Sequence, residues 1–391
     1  MKYHIPEIAE NVYYVGVRDP ERRLFDSLVP LPQGTTYNSY LIKSTKTALI
    51  DTVNPGFEQE HHRRINQNHP LEELDYIVMN HAEPDHAGAI PYIFERNNKA
   101  KLVATKRGAE VAKTYFNVPD ERIQVVSDGD TIKLGSKTLR FIEAPMLHWP
   151  ETMFTYLEED KILFPCDFLG LHTAYGFYDD QVPELIPYAQ RYFGEIMMPY
   201  KAMGKRGLDK LQDIEIDLIA PSHGPLHRNP QEIINAYTKW TQGETIEKVI
   251  IVYVTMWKST EKMIRQIEES LRSEGIKTVT YNLVNADIGD IAKDLVDSRG
   301  IVLGTPTVLG RMHPLAIYAA YLVKALKPPA KYGVVLTSYG WGKGALSHAS
   351  EILGPTGLEV VGALEINGPP SQNDLDEILK IGKALAEKIL S

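Results

Sequence analysis

The sequence runs to 391 residues, 43% hydrophobic and 24% charged, with a formal net charge of -9 and one cysteine. That length predicts two to three domains with ample apolar material for their cores. The acidic balance, with no lysine/arginine cluster interleaved with aromatics, excludes nucleic-acid binding, and no apolar run reaches the ~18 residues that span a bilayer.

Met1-Lys2-Tyr3-His4-Ile5-Pro6 lacks the apolar core of a signal peptide, which predicts a cytoplasmic protein. A lone thiol excludes an intrachain disulfide and a cysteine-ligated iron–sulfur cluster in this sequence. Cys166, in Phe164-Pro165-Cys166-Asp167, reads as a small buried residue at a strand end.

In chain order, strands are expected at Val12 to Val17, Ser39 to Ile42, Ala48 to Asp51, Tyr76 to Met79, Lys101 to Ala104, Ile123 to Val126 and Leu139 to Ile142. A hairpin pairs Met153 to Leu157 with Ile162 to Phe164. Helical patterns lie at Glu58 to Asn66, Gly88 to Glu95, Pro183 to Met198 and Gln231 to Trp240. Mixed strands with outer helices predict a layered α/β sandwich over 1–246. The polar stretch Thr241 to Thr245 is the linker candidate.

Beyond it, Val249 to Val254 is a continuous β-branched run, suited to a strand buried on both faces. Four more strands, Thr278 to Leu283, Gly300 to Gly304, Gly333 to Thr337 and Leu358 to Ala363, alternate with helices, the last helix running from Leu375 to Ile389. This predicts a flavodoxin-like three-layer domain with a five-stranded parallel sheet over 247–391.

The chemistry concentrates in His81-Ala82-Glu83-Pro84-Asp85-His86, directly after the apolar Tyr76 to Met79. Two imidazoles and two carboxylates within one turn of loop can converge on one point or on two adjacent points. Glu83 stands where a zinc hydrolase usually carries histidine, and its hard oxygen moves the preference toward iron or manganese. Later strand ends deliver His148, Asp167 and His223, so all can open on one edge of the sandwich. His61 and His62 fall on a polar helix face, and His4, His69, His313 and His348 have no ligand context. His172 and His227 have a better case than these for a role near the site.

After Val254 come Thr255-Met256-Trp257-Lys258-Ser259-Thr260 and a helix, whose free amides and hydroxyls predict a phosphate cradle. No G-x-G-x-x-G run occurs, which favours a mononucleotide over a dinucleotide. Pro306-Thr307-Val308 and Ser338-Tyr339-Gly340-Trp341-Gly342-Lys343-Gly344 end two further strands. Their glycines and aromatics suit a flat ring, needing close backbone approach and a stacking surface. Ordinary packing is the alternative for Trp257 and Trp341.

Over nearly its whole length the sequence resembles the metallo-β-lactamase superfamily and, more closely, the flavodiiron proteins. The resemblance rests on Gly34 to Ile42, Leu49-Ile50-Asp51-Thr52-Val53, Asn80-His81-Ala82-Glu83, Met146 to Pro150 and Pro221-Ser222-His223-Gly224. It implies a non-haem diiron centre, one iron on His81, Glu83 and His148 and the other on Asp85 and His223, with Asp167 bridging. His86 is left open as a ligand, because its counterpart is turned away from the metal in some relatives.

The resemblance further implies FMN in the second domain and an oxidoreductase that reduces O2 to water, NO to N2O, or both. The electron donor is then external, a rubredoxin-type protein or a reduced deazaflavin. Assembly is expected as a head-to-tail homodimer, alone or paired into a homotetramer. Rival readings are a zinc-dependent hydrolase with an accessory flavodoxin domain, and a carrier whose first domain is only a scaffold. One departure stands out. Many relatives carry a histidine in the loop after the first strand, and Arg22-Arg23-Leu24-Phe25-Asp26-Ser27-Leu28 has none. That loop is expected to approach the metal pocket.

Overall fold

The computed structural model describes residues 4–391. By its internal contacts the chain forms two units. One holds residues up to Tyr192 and Tyr200–Thr238, and the other holds Phe193–Pro199 and Lys239–Ser391.

In the first unit, seven strands pair in the order Glu7–Ala9, Val12–Tyr14, Tyr40–Lys43, Thr47–Ile50, Tyr76–Val78, Lys101–Thr105 and Ile123–Val126. A second sheet runs Thr131–Lys133, Thr138–Glu143, Met153–Leu157, Ile162–Phe164 and Leu218–Ile219. The strands alternate their apolar residues between two cores. Ile42, Ile50, Val78 and Val103 meet Phe141, Met153 and Phe164 in one core, while Leu41, Leu49, Ile77 and Leu102 pack with Ile65, Ile90 and Ala112 in another. A period of two thus sorts one strand's residues between two faces, as a sandwich with helices outside requires.

The sheets depart from expectation in detail. The run Val12 to Val17 breaks, with Val12–Tyr14 in the large sheet and Val17–Asp19 paired to Thr35–Tyr37. Asn38 and Ser39 interrupt the partner strand there: Ser39 O takes the N–H groups of both Val15 and Gly16. The helix expected over Gly88 to Glu95 is Ile90–Phe94, and a separate short helix, Pro84–Ala87, precedes it, each with proline in its first turn. Helix Lys106–Phe116 was not expected from periodicity; Thr105 caps it, its side chain accepting from Gly108 N. The helix starting near Pro183 is α-helical over Leu185–Tyr192 and then opens into a π-helical turn, Phe193–Met197.

The second unit has five parallel strands in the order Lys277–Asn282, Ile246–Tyr253, Ser298–Val308, Tyr332–Tyr339 and Glu359–Asn367. This is the 2-1-3-4-5 order of a flavodoxin-like sheet, whose ligands bind outside the carboxyl ends of the strands where the order reverses. None of the described helices is long and apolar enough to cross a membrane.

Candidate metal centre and flavin cavity

Each candidate ligand follows a strand that is pinned at its end. Asn80, just before His81, donates from its backbone and side chain to Asp51 at 2.8 and 3.0 Å, and accepts from Thr155 Oγ1 at 2.7 Å. Glu83 then takes the N-cap position of the short helix Pro84–Ala87 without a side-chain capping bond, and the turn returns Asp85 and His86 to the same place. Gly224, with φ +80°, carries the chain past His223; a Cβ there would meet Leu171 O at 2.4 Å.

Two clusters result. His81, Glu83, His148 and Asp167 form one, and Asp85, His86 and His223 form the other. Glu83 Oε2 lies 3.2 Å from His81 Nε2 and 3.0 Å from His148 Nε2. Asp85 Oδ2 lies 3.1 Å from His223 Nε2, and its Oδ1 3.4 Å from His86 Nε2. Asp167 faces both: Oδ2 is 3.5 Å from His81 Nε2 and 3.6 Å from His148 Nε2, while Oδ1 is 3.0 Å from His86 Nε2 and 3.3 Å from His223 Nε2. The side chain of His86, open from sequence, is turned into this second cluster.

The donor set fits a metal pair. Both carboxylate oxygens of Asp85, Nε2 of His86, Oδ2 of Asp167 and Nε2 of His223 are buried without a hydrogen-bond partner among the described residues. These atoms crowd together yet are not aimed at one another. Burying so many unpaired polar atoms is costly, and cations at the points they share would remove that cost.

The electrostatics agree. Burial pushes the imidazoles of His81 and His223 toward neutrality, but the carboxylates beside them win: Glu151 and Glu83 hold His81 well above the usual range, and Asp167 and Asp85 raise His223 to about 10. Burial would raise the Asp167 carboxyl, yet His86 and His223 hold it well down. Without metal this pocket attracts protons strongly; the same field attracts cations.

Several contacts around the cluster escaped the sequence reading. His81 Nδ1 lies 2.7 Å from Glu151 Oε1, and His223 Nδ1 lies 2.5 Å from Thr36 O. Tyr192 donates its hydroxyl to Asp167 Oδ1 at 2.9 Å. Pattern reading could have flagged Glu151, one residue past Met146 to Pro150, but Tyr192 carries no local signal. His172 does lie beside the cluster, its ring 4.7 Å from that of His223, and burial keeps it neutral. His227 instead bonds Leu169 O at 3.0 Å, with burial lowering it to about 4. The loop that lacks the histidine of relatives does approach: Phe25 packs its ring 4.9 Å from His172 and 6.2 Å from His223.

In the second unit a cavity of about 410 Å³ opens at the strand ends, lined by Thr255, Met256, Trp257, Ser259, Thr260, Pro306, Thr307, Ser338, Tyr339, Gly340 and Trp341. Gly368 and Pro369 add a fourth loop that the sequence reading did not include. Among the described residues, Oγ1 of Thr255 and of Thr307 are buried there without partners, beside the start of helix Ser259–Ser273. Free hydroxyls at that place suit a phosphate.

Val308, Gly342 and Gly344 are not among the lining residues. Val308 pairs with Arg311 in a small hairpin, and Gly344, at φ +140°, lets the chain pass Gly310, whose oxygen would lie 2.1 Å from a Cβ. Trp257 and Trp341 are 87% and 93% exposed, so the packing alternative for them fails.

Two family models match: an ODP family beta lactamase over residues 35–224, and a flavodoxin over 251–382. A nitric oxide reductase of Moorella thermoacetica is 36% identical over 98% of each chain. The chain belongs to the flavodiiron protein family. A coenzyme F420H(2) oxidase of Methanocaldococcus jannaschii is 35% identical, over 98% of this chain and 96% of that one. Among solved structures, rubredoxin oxygen:oxidoreductase from Desulfovibrio gigas superposes with a TM-score of 0.96 at 28% identity, covering 99% of each chain. The flavodiiron protein from Giardia intestinalis gives 0.95 at 28% identity, over 100% of this chain and 98% of that one. This flavodiiron protein is accordingly an oxidoreductase, and the hydrolase and carrier readings fall away.

Proposed function

We propose that this protein reduces O2 to water, NO to N2O, or both, at two irons held in the sandwich and supplied with electrons through FMN in the second unit. The observation that carries the residue assignment is the placement of Asp167, one oxygen toward each cluster. His81, Glu83 and His148 would hold one iron, and Asp85, His86 and His223 the other, with Asp167 shared. Bound there, the irons would supply electrons and adjacent binding positions for a small diatomic substrate, and FMN would relay the electrons.

The chain's own residues do the rest. The Glu83 and His148 side chains are 12% and 13% exposed, whereas those of Asp85, His86, Asp167 and His223 are at most 6%, so substrate enters on the Glu83–His148 side. Phe25 and Trp149 close other sides with apolar surface and keep water out. Tyr192 holds the Asp167 carboxylate in place through its hydroxyl.

In the second unit, Thr255, Thr307 and the start of helix Ser259–Ser273 would receive the phosphate, and Trp257 and Trp341 would flank the ring. The relatives' names, a coenzyme F420H(2) oxidase and a rubredoxin oxygen:oxidoreductase, support an external donor that is either a reduced deazaflavin or a rubredoxin-type protein. Exposed indoles around a cofactor mouth favour a covering partner. A head-to-tail dimer, alone or paired into a tetramer, would provide it. A cytoplasmic setting is consistent with this assembly.

The test is anaerobic stopped-flow of the fully reduced protein against O2 and against NO. Rapid reoxidation of flavin and iron by one gas names the substrate, and by both names both. No reoxidation by either refutes the proposal.

A further inference from the structure

The two clusters that share Asp167 have one carboxylate each of their own, Glu83 or Asp85, but their surroundings differ. Behind His81 stands a carboxylate, Glu151, whose Oε1 lies 2.7 Å from Nδ1 and also accepts Ala82 N–H at 3.0 Å. Behind His223 stand neutral groups, Thr36 O at 2.5 Å and Thr35 Oγ1 at 3.3 Å. Nδ1 of His86 is buried with no hydrogen-bond partner among the described residues.

Glu151 is 3% exposed, and its second oxygen is also buried without a partner. Among the described residues no lysine or arginine is paired with it; it is met by His81 and by the backbone N–H groups of Ala82 and of Glu151 itself. A negative charge in that position is compensated only when the imidazole it faces is made positive from the other side, at Nε2. The edge of Trp149, its ring 5.1 Å from that of His81, keeps the surroundings apolar, so the charge acts with little screening. One short loop therefore supplies a ligand, His148, a wall, Trp149, and a charge, Glu151. Thr105 Oγ1 anchors that loop by donating to Glu151 O at 2.9 Å.

We infer that Glu151 is a positioning residue that makes the two metal positions unequal, fixing the His81 tautomer with its proton on Nδ1 and strengthening the His81–Glu83–His148 position relative to the other. This rests on the ligand assignment proposed above. A hydrogen-bonded carboxylate behind a ligating imidazole orients the ring and raises its basicity, and losing such a partner weakens metal binding by about 10–100-fold.

The experiment is an anaerobic titration of the metal-stripped, flavin-loaded protein with Fe(II), and separately with Co(II), against a competing chelator. The wild-type protein is expected to fill in two resolved steps. Glu151→Gln keeps an oxygen to accept both N–H groups and removes only the charge. It should weaken the tighter step by about 10–100-fold and leave the other unchanged, with Glu151→Ala at least as severe. The visible bands of Co(II) show which position has moved.

Equal affinities in the wild-type protein overturn the inference, as does a Glu151→Gln titration that shifts both steps alike or neither. A Glu151→Gln chain that loses its circular dichroism and flavin before metal is added also overturns it, by assigning Glu151 to the fold. Failure of the wild-type chain to bind two ions refutes the ligand assignment itself and is distinct from these results.

Discussion

In the sandwich, Asp85, His86, Asp167 and His223 are each at most 5% exposed and converge with unpaired atoms, whereas in the flavin cavity Trp257 and Trp341 keep 87% and 93% of their surface. The contrast follows from what each place has to hold. Small cations are selected by charge and donor type, so the groups that bind them must be enclosed and short of other partners. A flat ring with a phosphate is met by a few hydroxyls at the strand ends and by aromatic faces, and the indoles of Trp257 and Trp341 lose little by standing in water while they wait. The first site is prepared by burial, the second by the shape of loop ends.

If the metal site is prepared by burial, removing its shared group should cost the most. Asp167→Ala takes one partner from several buried imidazoles, a change on the scale of about 3–5 kcal/mol for a broken buried charge pair. Most of the iron should be lost while FMN stays, as read by elemental analysis beside flavin absorbance. Full iron content would show that Asp167 is not shared.

Burial also predicts acid sensitivity in the sandwich. Ser39 Oγ donates to Asp51 O at 2.8 Å and so accepts from His61 Nε2 at 3.0 Å, with burial lowering His61 to about 3. An unfolded histidine titrates near 6.5. Between these values the unfolded chain takes up a proton that the folded chain refuses. The contribution of His61 to stability is thus present above pH 6.5 and falls by about 1.4 kcal/mol per unit as pH drops toward 3, with buried His172 and His227 adding slope of the same sign. His61→Gln, which keeps a donor for Ser39, should flatten that slope in unfolding curves measured across the window; an unchanged slope would place the proton uptake elsewhere.

The flavin side should show the smallest effects. Trp341→Ala and Trp257→Ala should each weaken FMN by about 0.5–1.5 kcal/mol, the scale of one aromatic stacking contact. Because both side chains are exposed, thermal stability of the flavin-free protein should stay within about 0.5 kcal/mol. A large loss of stability with unchanged FMN affinity would return these tryptophans to a packing role.

How much of this was legible in the sequence depended on the same contrast. His81, Glu83, Asp85, His148, Asp167 and His223 could be named because ligand residues are rare types at strand ends, and strand ends follow from apolar runs. The orientation of His86 could not be read, since only the turn Pro84–Ala87 decides where it points. Glu151 stands just past the ligand His148, but the imidazole it meets, His81, is 70 residues away, and Tyr192 reaches Asp167 from 25 residues away with no local pattern to mark it. Val308, Gly342 and Gly344 share loops with the flavin cavity without lining it. Gly344, needed for passage of the backbone, looks the same in sequence as a glycine needed for a ligand. The five-stranded parallel sheet was plain from its β-branched runs, but the small Val17–Asp19 and Thr35–Tyr37 pairing depends on register and was not.

The π-helical turn at Phe193–Met197 bears on how this chain can be divided. Phe193–Pro199 groups with Lys239–Ser391, where the Phe193 ring sits 5.4 Å from that of Trp240 and a Cβ on Gly194 would meet Ala292 O at 2.4 Å. Two modules that look tandem in sequence are therefore not simply tandem, because residues 193–199 group with the second while the sequence on both sides of them groups with the first. No single cut yields two intact pieces. A protease nick or truncation near residue 246 would leave Phe193, Met197 and Met198 stranded with their apolar surface in water.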